Sequence, residues 1–163
     1  MAVLHLMVGL PGSGKTTYAR AHQNEWNAIV FTPDVWQIYL FGNDFHGAEC
    51  SEEHDRIHSR VEALIWMQAE RLLQMGVNVV LDFGFWAKEE RDDFRQRAQN
   101  LGADFQIHYM EASEEELLRR LELRNAHNEG DVFQISPADL KQWMMQFEEP
   151  DPAEISGIIS KKL

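Results

Sequence analysis

Long apolar runs, paired cysteines and basic residues are all scarce in this sequence of 163 residues. No stretch approaches the roughly 20 consecutive apolar residues that a membrane-spanning helix needs, so no membrane partner is expected. The single cysteine, Cys50, has no second cysteine with which to form a disulfide, and the sequence therefore requires no oxidising compartment. Because no basic leader precedes the first apolar segment, a cytoplasmic location is expected.

Basic residues are outnumbered in this chain, with 15 Lys and Arg against 27 Asp and Glu and a net charge of −12. Affinity for a nucleic-acid backbone comes mainly from clustered Lys and Arg, so nucleic acid is a disfavoured partner, although a local basic cleft is compatible with this charge. The apolar fraction of 44% and charged fraction of 26% are those of an ordinary globular protein. The length predicts one domain over residues 1–163.

Apolar segments alternate with helix-like segments along the whole chain. Strands are predicted at residues 3–8, 28–31, 77–81 and 105–110, and helices follow them. The tail around Ile155, Ile158 and Ile159 fits either a short fifth strand or a docking turn. This alternation predicts an α/β fold with a mostly parallel sheet of about five strands, covered by helices on both faces.

Helix boundaries are indicated by capping residues. Ser51 is predicted to cap a long helix that ends at Gly76. Ser113 and Ser136 are predicted to open two later helices, the second with proline at its first position. The apolar stripe of the long helix comprises Ile57, Val61, Leu64, Ile65, Leu72 and Met75.

The most specific motif lies directly after the first predicted strand. Residues 9–16 read GLPGSGKT and match the phosphate-loop pattern G-x-x-x-x-G-K-[ST]. Its glycines let backbone N–H groups point inward, and the following helix adds partial positive charge where phosphates bind. Lys15 is expected to reach the β- and γ-phosphates of ATP, and the Thr16 hydroxyl to ligate Mg²⁺. A turn that merely joins strand to helix is the alternative, but it requires neither residue. The expected nucleotide-binding residues of this segment are Gly9, Pro11, Gly12, Ser13, Gly14, Lys15, Thr16 and Thr17.

A second acidic group follows the third predicted strand. Asp82 comes after the apolar residues 77–81, a Walker-B-like arrangement. Apolar strands that end in Asp are also common turn formers. Because ligands of open α/β sheets bind outside the carboxyl ends of the strands, Asp82 is expected to join Thr16 at the metal.

Asp34 lies just past the second predicted strand and is the candidate general base. In phosphoryl transfer a carboxylate can orient the acceptor hydroxyl and take its proton. Alternatively, Asp34 only caps a helix that starts at Val35, and the two roles are compatible.

Two arginines lie one turn apart on the helix after the fourth strand. Arg120 and Arg124 share one helix face and could clamp the transferred phosphate or stack on adenine. Salt bridges to Glu116 and Glu122 are the competing interpretation.

With these motifs in place, the sequence resembles the small P-loop kinases related to polynucleotide kinase, zeta-toxin-like and chloramphenicol-phosphotransferase-like proteins, often described as AAA-type ATP-binding proteins. The resemblance covers most of the chain and rests on residues 9–16, Asp34, residues 81–86 and residues 120–125. It implies a three-layer P-loop NTPase fold, ATP and Mg²⁺ binding, an acceptor hydroxyl at Asp34, and a helical lid at about residues 113–135. The lid arginines would be Arg120 and Arg124, the latter also binding nucleotide. Polynucleotide kinases usually carry an arginine a few residues after the catalytic Asp, and residues 35–38 contain none.

The leading functional hypothesis is an ATP-dependent phosphotransferase that acts on a hydroxyl of a small or medium acceptor. A nucleic-acid 5′-hydroxyl kinase and a non-catalytic nucleotide-dependent switch are the alternatives. The sequence identifies neither the acceptor nor the oligomeric state.

Other residue groups allow a functional or a structural interpretation. His46, Cys50, His54 and His58 recur every four residues and could bind zinc, although the first two are expected to precede the helix. Arg91 and Arg95, one turn apart, could contact an anionic acceptor or the phosphates, or belong to a solvated charged face. The aromatic residues that could line an acceptor pocket or belong to the core are Trp36, Tyr39, Phe83, Phe85 and Trp86.

Overall fold

The computed structural model describes residues 1–43, 48–127, 132–155 and 157–160, with backbone alone for residues 48–51 and 157–160. Within these ranges five strands form one sheet in the order β2-β3-β1-β4-β5, and all neighbouring strands are parallel. The strands are β1 (Val3–Val8), β2 (Ala28–Phe31), β3 (Asn78–Gly84), β4 (Asp104–Glu111) and β5 (Gly157–Ser160). The tail therefore adds a fifth strand beside β4, which decides between the two predicted alternatives.

Helices connect the strands in the way that parallel pairing requires. The described residues form α1 (Lys15–His22), α2 (Pro33–Phe41), α3 (Ala48–Gln74), α4 (Lys88–Asn100), α5 (Glu114–His127) and α6 (Pro137–Gln146). None of the helices in these ranges is long and apolar enough to cross a membrane. The predicted α/β fold is confirmed.

The two faces of the sheet are buried by different helices because successive strand residues point to opposite sides. Leu4 and Leu6 of β1 pack in one core cluster with Ile65 of α3 and Phe94 of α4. On the other face, Met7 of β1 packs with residues of α1. This arrangement gives three layers with β1 at the centre, where Leu4 pairs with both Val79 and Phe105.

A histidine pair lies on the α1 face of the sheet. His5 and His108 are hydrogen-bonded through their ring nitrogens at 2.9 Å, and Trp26 stacks on both rings. Burial is the main cause that lowers the pKa of each histidine to about 4. Both imidazoles are therefore neutral at neutral pH.

A separate apolar cluster joins α5 and α6 to the phosphate loop. Leu10 of the loop packs with Leu117, Leu121, Ile135 and Leu140. The helices that follow β4 are thus attached to residues 9–16 by apolar contact.

Several predicted boundaries and buried positions are wrong. Helix α3 begins at Ala48, one turn before Ser51. A good capping residue does not determine the start of a helix when alanine and other helix-tolerant residues precede it. Leu64 and Met75 are exposed. The buried positions of α3 are spaced four residues apart, at Val61, Ile65, Ala69 and Leu73. The end of this helix is as expected, since it stops at Gln74 and Gly76 has a φ of +81°.

Candidate active site

The segment between β1 and α1 folds into a tight loop. The Gly9 N–H donates a hydrogen bond to the Gly84 carbonyl at 3.0 Å, which ties the loop to the end of β3. A Cβ on Gly9 would lie 2.7 Å from the Ser13 Oγ and 3.0 Å from the Met110 carbonyl oxygen. Gly12 and Gly14 have φ values of +85° and +96°, a region that side chains disfavour. The loop geometry therefore explains the glycines of the motif.

Two hydroxyl groups and a carboxylate come together at the start of α1. The Thr16 hydroxyl donates to Oδ2 of Asp82 at 2.5 Å, and the Thr32 hydroxyl donates to the same oxygen at 3.2 Å. The other carboxylate oxygen, Oδ1 of Asp82, is buried without a hydrogen-bond partner among the described residues. Burial is the main cause that raises the pKa of Asp82. A hydroxyl beside a carboxylate oxygen with no partner is a donor set that fits Mg²⁺.

Lys15 belongs to the phosphate loop and is the first residue of α1. Its Nζ donates to the Leu10 carbonyl at 3.0 Å. Burial lowers the pKa of Lys15, Asp82 and Asp34 raise it, and Arg124 lowers it. The charges of Asp34, Asp82 and Arg124 thus all act on one ammonium group, although these residues lie on three different elements.

Asp34 is the second residue of α2, and its side chain is 46% exposed. The helix begins at Pro33, so the capping role predicted for Asp34 ahead of Val35 is wrong. Thr32 occupies the N-cap position, and its hydroxyl bonds to Asp82 and makes no cap hydrogen bond. Proline at the first helical position starts the helix two residues earlier than predicted.

The two arginines of α5 have different surroundings. Arg120 donates from Nη1 to the carbonyls of Ser13 and Gly12, at 3.2 and 3.3 Å, so it holds the backbone of the phosphate loop. Its Nε bonds to Glu116, as the salt-bridge interpretation predicted. Arg124 donates to the Phe133 carbonyl at 2.5 Å. The charge of Arg124 lowers the pKa of Lys15.

The remaining residues of the predicted loop site differ in exposure. Pro11 is half-buried within the loop, Ser13 is buried, and Thr17 is exposed on the first turn of α1. The Ser13 Oγ, like Asp82 Oδ1, has no hydrogen-bond partner among the described residues.

A family model described as an AAA domain matches residues 4–150. The chain belongs to this AAA domain family. The matched span of the AAA domain includes the phosphate loop, Asp34, Asp82 and both arginines of α5, and membership of this P-loop family supports nucleotide binding. A search of curated proteins found no match.

Solved structures show the same fold. A candidate kinase from Chloroflexus aurantiacus superposes with a TM-score of 0.75 at 20% identity, covering 98% of this chain and 86% of that one. A chain of the Pnkp1/Rnl/Hen1 RNA repair complex gives 0.67 at 25% identity over 89% of this chain and 43% of that one. A gluconokinase from Sinorhizobium meliloti 1021 gives 0.65 at 16% identity over 99% and 83%. This AAA domain therefore has a P-loop kinase-like fold, and the predicted resemblance is confirmed.

Arg91 has neither of its predicted roles. Its side chain is fully buried and pairs with Glu154 at 3.0 Å. Its Nη1 donates to the carbonyls of Phe85, Trp86 and Glu148. The partner carboxylate lies 63 residues further along the chain, so no local pattern indicated this pair. Arg95 lies over the Phe105 ring at 5.3 Å and is partly exposed, which fits the predicted charged face.

Three of the four residues in the predicted histidine and cysteine series lie on α3. His46 lies outside the described residues, and Cys50 lies within α3, which corrects the expectation that it precedes the helix. The rings of His54 and His58 are stacked, with centroids 5.9 Å apart. In the described part of the chain, no three His, Cys, Asp or Glu side chains form a group that could hold a metal ion.

The aromatic residues also divide between core and surface. Phe83 and Phe85 stack in the main core, and Trp86 packs in the cluster around Leu10. Trp36 packs partly buried against the main core, whereas Tyr39 is 89% exposed.

Sequence reasoning missed a polar network beside Asp34. His58 of α3 lies 3.8 Å from the Asp34 carboxylate and 3.0 Å from Glu62, and it also contacts the buried amide of Gln37. The spacing of four residues between His58 and Glu62 on a predicted helix could have indicated their contact. The contact with α2 joins two separate elements and had no such signal.

Proposed function

We propose that this AAA domain is an ATP-dependent phosphotransferase that moves the γ-phosphoryl group of Mg·ATP to a hydroxyl of a small or medium acceptor. One observation carries the proposal: Thr16 of the phosphate loop and Thr32, two residues before Asp34, donate to the same Asp82 oxygen at 2.5 and 3.2 Å. The loop and the segment that carries the candidate base therefore meet at one carboxylate. A loop that served only as a connection would not need a carboxylate beside its lysine.

Each group of the site has a role in this proposal. The loop N–H groups and Lys15 bind the phosphates, and Arg124 stabilises charge on the transferred group. Arg120 holds the loop through its bonds to Gly12 and Ser13. Thr16 and Asp82 would hold Mg²⁺, which neutralises charge on the β- and γ-phosphates when bound. The proposed lid spans about residues 113–135, of which residues 128–131 lie outside the described residues.

The reaction consists of one displacement. Asp34 accepts the proton of the acceptor hydroxyl as the acceptor oxygen bonds to the γ-phosphorus. The bond from that phosphorus to the β–γ bridging oxygen breaks, and its electron pair leaves with ADP. Asp34 then releases the proton to water, so the products are a phosphate ester, ADP and one proton.

The charges near Asp34 favour a neutral or cationic acceptor over a polyanion. The groups that raise the pKa of His58 beside it are carboxylates: Glu62, Asp34 and Asp55. Arg91 is already paired with Glu154. A nucleic-acid backbone would therefore meet like charge on this side.

The test is release of ADP from Mg·ATP in the presence of separate acceptor pools: sugars, aminoglycosides, nucleosides and a 5′-hydroxyl oligonucleotide. One pool should raise turnover, and Asp34→Asn should reduce that stimulated rate at least about a hundredfold, since a positioned base contributes 10²–10⁴ in rate. Asp104→Asn is the matched control, because Asp104 is exposed at the opposite end of its strand. An Asp34→Asn protein with full stimulated activity would refute the role of the base.

A nucleic-acid 5′-hydroxyl kinase is the second candidate, and the fold shared with a chain of an RNA repair complex supports it. A salt titration of oligonucleotide binding separates it from the first candidate. Phosphate contacts weaken steeply with salt, so tight, salt-sensitive binding together with phosphorylation of the oligonucleotide would favour this candidate. ATP binding that depends on Lys15 but gives no turnover with any pool would favour the nucleotide-dependent switch.

A further inference from the structure

A buried glutamine fixes the hydrogen bonding around His58. Gln37 of α2 has no exposed surface. Its Nε2 donates to the His54 carbonyl at 3.3 Å and lies 3.2 Å from the His54 Nδ1, and its Oε1 lies 2.9 Å from the His58 Nδ1. A backbone carbonyl can only accept, so the amide nitrogen must be on the side of His54. The amide oxygen therefore faces His58.

This orientation determines the protons of the His58 ring. The amide oxygen of Gln37 accepts only, so Nδ1 of His58 must carry a proton. The other ring nitrogen, Nε2, lies 3.0 Å from the Glu62 carboxylate, which also accepts. Both ring nitrogens are thus donors, and the ring that satisfies both contacts is an imidazolium. The same reasoning leaves Nδ1 of His54 as an acceptor.

The Asp34 carboxylate lies 3.8 Å from Nδ1 of this ring, at a position where a fixed positive charge acts on it directly. We propose that His58 is a positioning residue for Asp34: an imidazolium, held by Glu62 and Gln37, that keeps a positive charge beside the carboxylate that accepts the acceptor proton. This inference rests on the proposed function, because it assigns a role relative to the base.

Other charged groups around the ring fit the assignment. Burial lowers the pKa of His58, but Glu62, Asp34 and Asp55 together raise it above its ordinary value. Glu90 of α4 also interacts with His58. His54, one turn earlier on α3, has its pKa lowered by burial and by the His58 charge. The two stacked histidines are therefore expected to differ in charge near pH 6.5.

The first experiment needs no acceptor. NMR titration of the imidazole signals, with the His58 signal assigned by its loss in His58→Gln, should give His58 a midpoint above 6.5. The attraction between two opposite unit charges about 4 Å apart in water shifts a titration midpoint by about 0.8 pH unit. Asp34→Asn removes the negative charge and should therefore lower the His58 midpoint by about this much. Asp104→Asn should leave it unchanged. A midpoint at or below 6.5, or no response to Asp34→Asn, would overturn the inference.

The second experiment measures the pH dependence of kcat/KM for the acceptor pool that raises turnover. In His58→Gln the amide can still donate to Glu62, but the positive charge is gone. The acidic midpoint of the profile should rise by about 0.8 pH unit, which corresponds to about a sixfold lower kcat/KM below it, and KM for ATP should not change. His54→Asn, which keeps an acceptor near Gln37, is the control and should leave the midpoint in place.

The two experiments distinguish the possible failures. If the His58 midpoint responds to Asp34 but no acceptor raises turnover, the proposed function fails, and the positioning role fails with it. If turnover depends on Asp34 but His58→Gln leaves the acidic midpoint unchanged, the kinase proposal stands and the role of His58 is refuted.

Discussion

Removing one partner of the ion pair between Arg91 and Glu154 should strongly destabilise the protein. Their side chains are 0% and 3% exposed, and Nε of Arg91 lies 3.0 Å from a carboxylate oxygen of Glu154. Burial raises the pKa of Glu154, but hydrogen bonds from Arg91 and the Asp151 N–H, with the charge of Lys88, hold it below its ordinary value. Glu154→Gln keeps the shape of the side chain and leaves the guanidinium buried without its counter-charge.

Removing one partner of a buried pair costs about 3–5 kcal/mol, because the remaining charge has no compensation. For a chain of this size that loss lowers the thermal midpoint by about 10 °C. Three backbone carbonyls still accept from Arg91 in this variant, so the loss measures the missing charge. Because the pKa of Glu154 is lowered in the folded state, this stabilisation is present above the ordinary Glu pKa and is lost as pH falls through the folded value.

Urea unfolding at pH 7, followed by tryptophan fluorescence, measures this free energy of unfolding. Glu114→Gln is the matched control, since Glu114 forms an exposed pair with Lys141 at 3.9 Å. An exposed pair contributes less than about 1 kcal/mol. If Glu154→Gln and Glu114→Gln unfold at the same urea concentration, the reasoning about the buried pair is refuted.

Two further predictions follow from the phosphate loop and from the histidine pair. Gly9→Ala should abolish nucleotide binding by calorimetry, because its Cβ would meet Ser13 and the Met110 carbonyl; Gly76→Ala, with open space around it, should bind normally at a cost of about 1–2 kcal/mol in stability. Normal binding by Gly9→Ala would contradict the loop geometry. Burial lowers the pKa values of His5 and His108 to about 4, so the unfolded chain binds protons more tightly than the folded protein. The contribution of these neutral histidines to the free energy of unfolding is therefore fully present above pH 6.5 and is lost as the pH falls towards 4. Urea midpoints measured across this range should fall less steeply in His108→Gln, and a flat profile in the wild type would contradict the prediction.

The fold could be predicted from the sequence where local chemistry determines it. The pattern of residues 9–16 requires a strand before it and a helix after it, and both are present. Ser136 was predictable as a cap because its hydroxyl needs only the nearby Asp139 N–H, which donates to it at 3.1 Å. Such features depend on neighbours a few residues away, and a single sequence contains that information.

The parts that could not be predicted depend on partners far apart in the chain. Arg91 was expected at an acceptor or in solvent, because nothing in the sequence around Arg91 or around Glu154 indicates that these two residues pair. The charge on His58 follows from the orientation of Gln37, which is determined by a backbone carbonyl of another helix. The first turn of α3 was missed for a different reason, since Ser51 is a good cap but the residues before it also favour a helix.

The position of β1 in the sheet has a consequence for how the protein folds. As the chain leaves the ribosome, β1 emerges before the other four strands. Its two neighbours are β3 and β4, so it pairs with neither until Val79 and Phe105 have been synthesised. Pairing between such distant segments is slow, because loop closure must precede the contacts that stabilise it. The strand that carries the phosphate loop is therefore completed late, and the recovery of nucleotide binding during refolding should trail the recovery of helical circular dichroism.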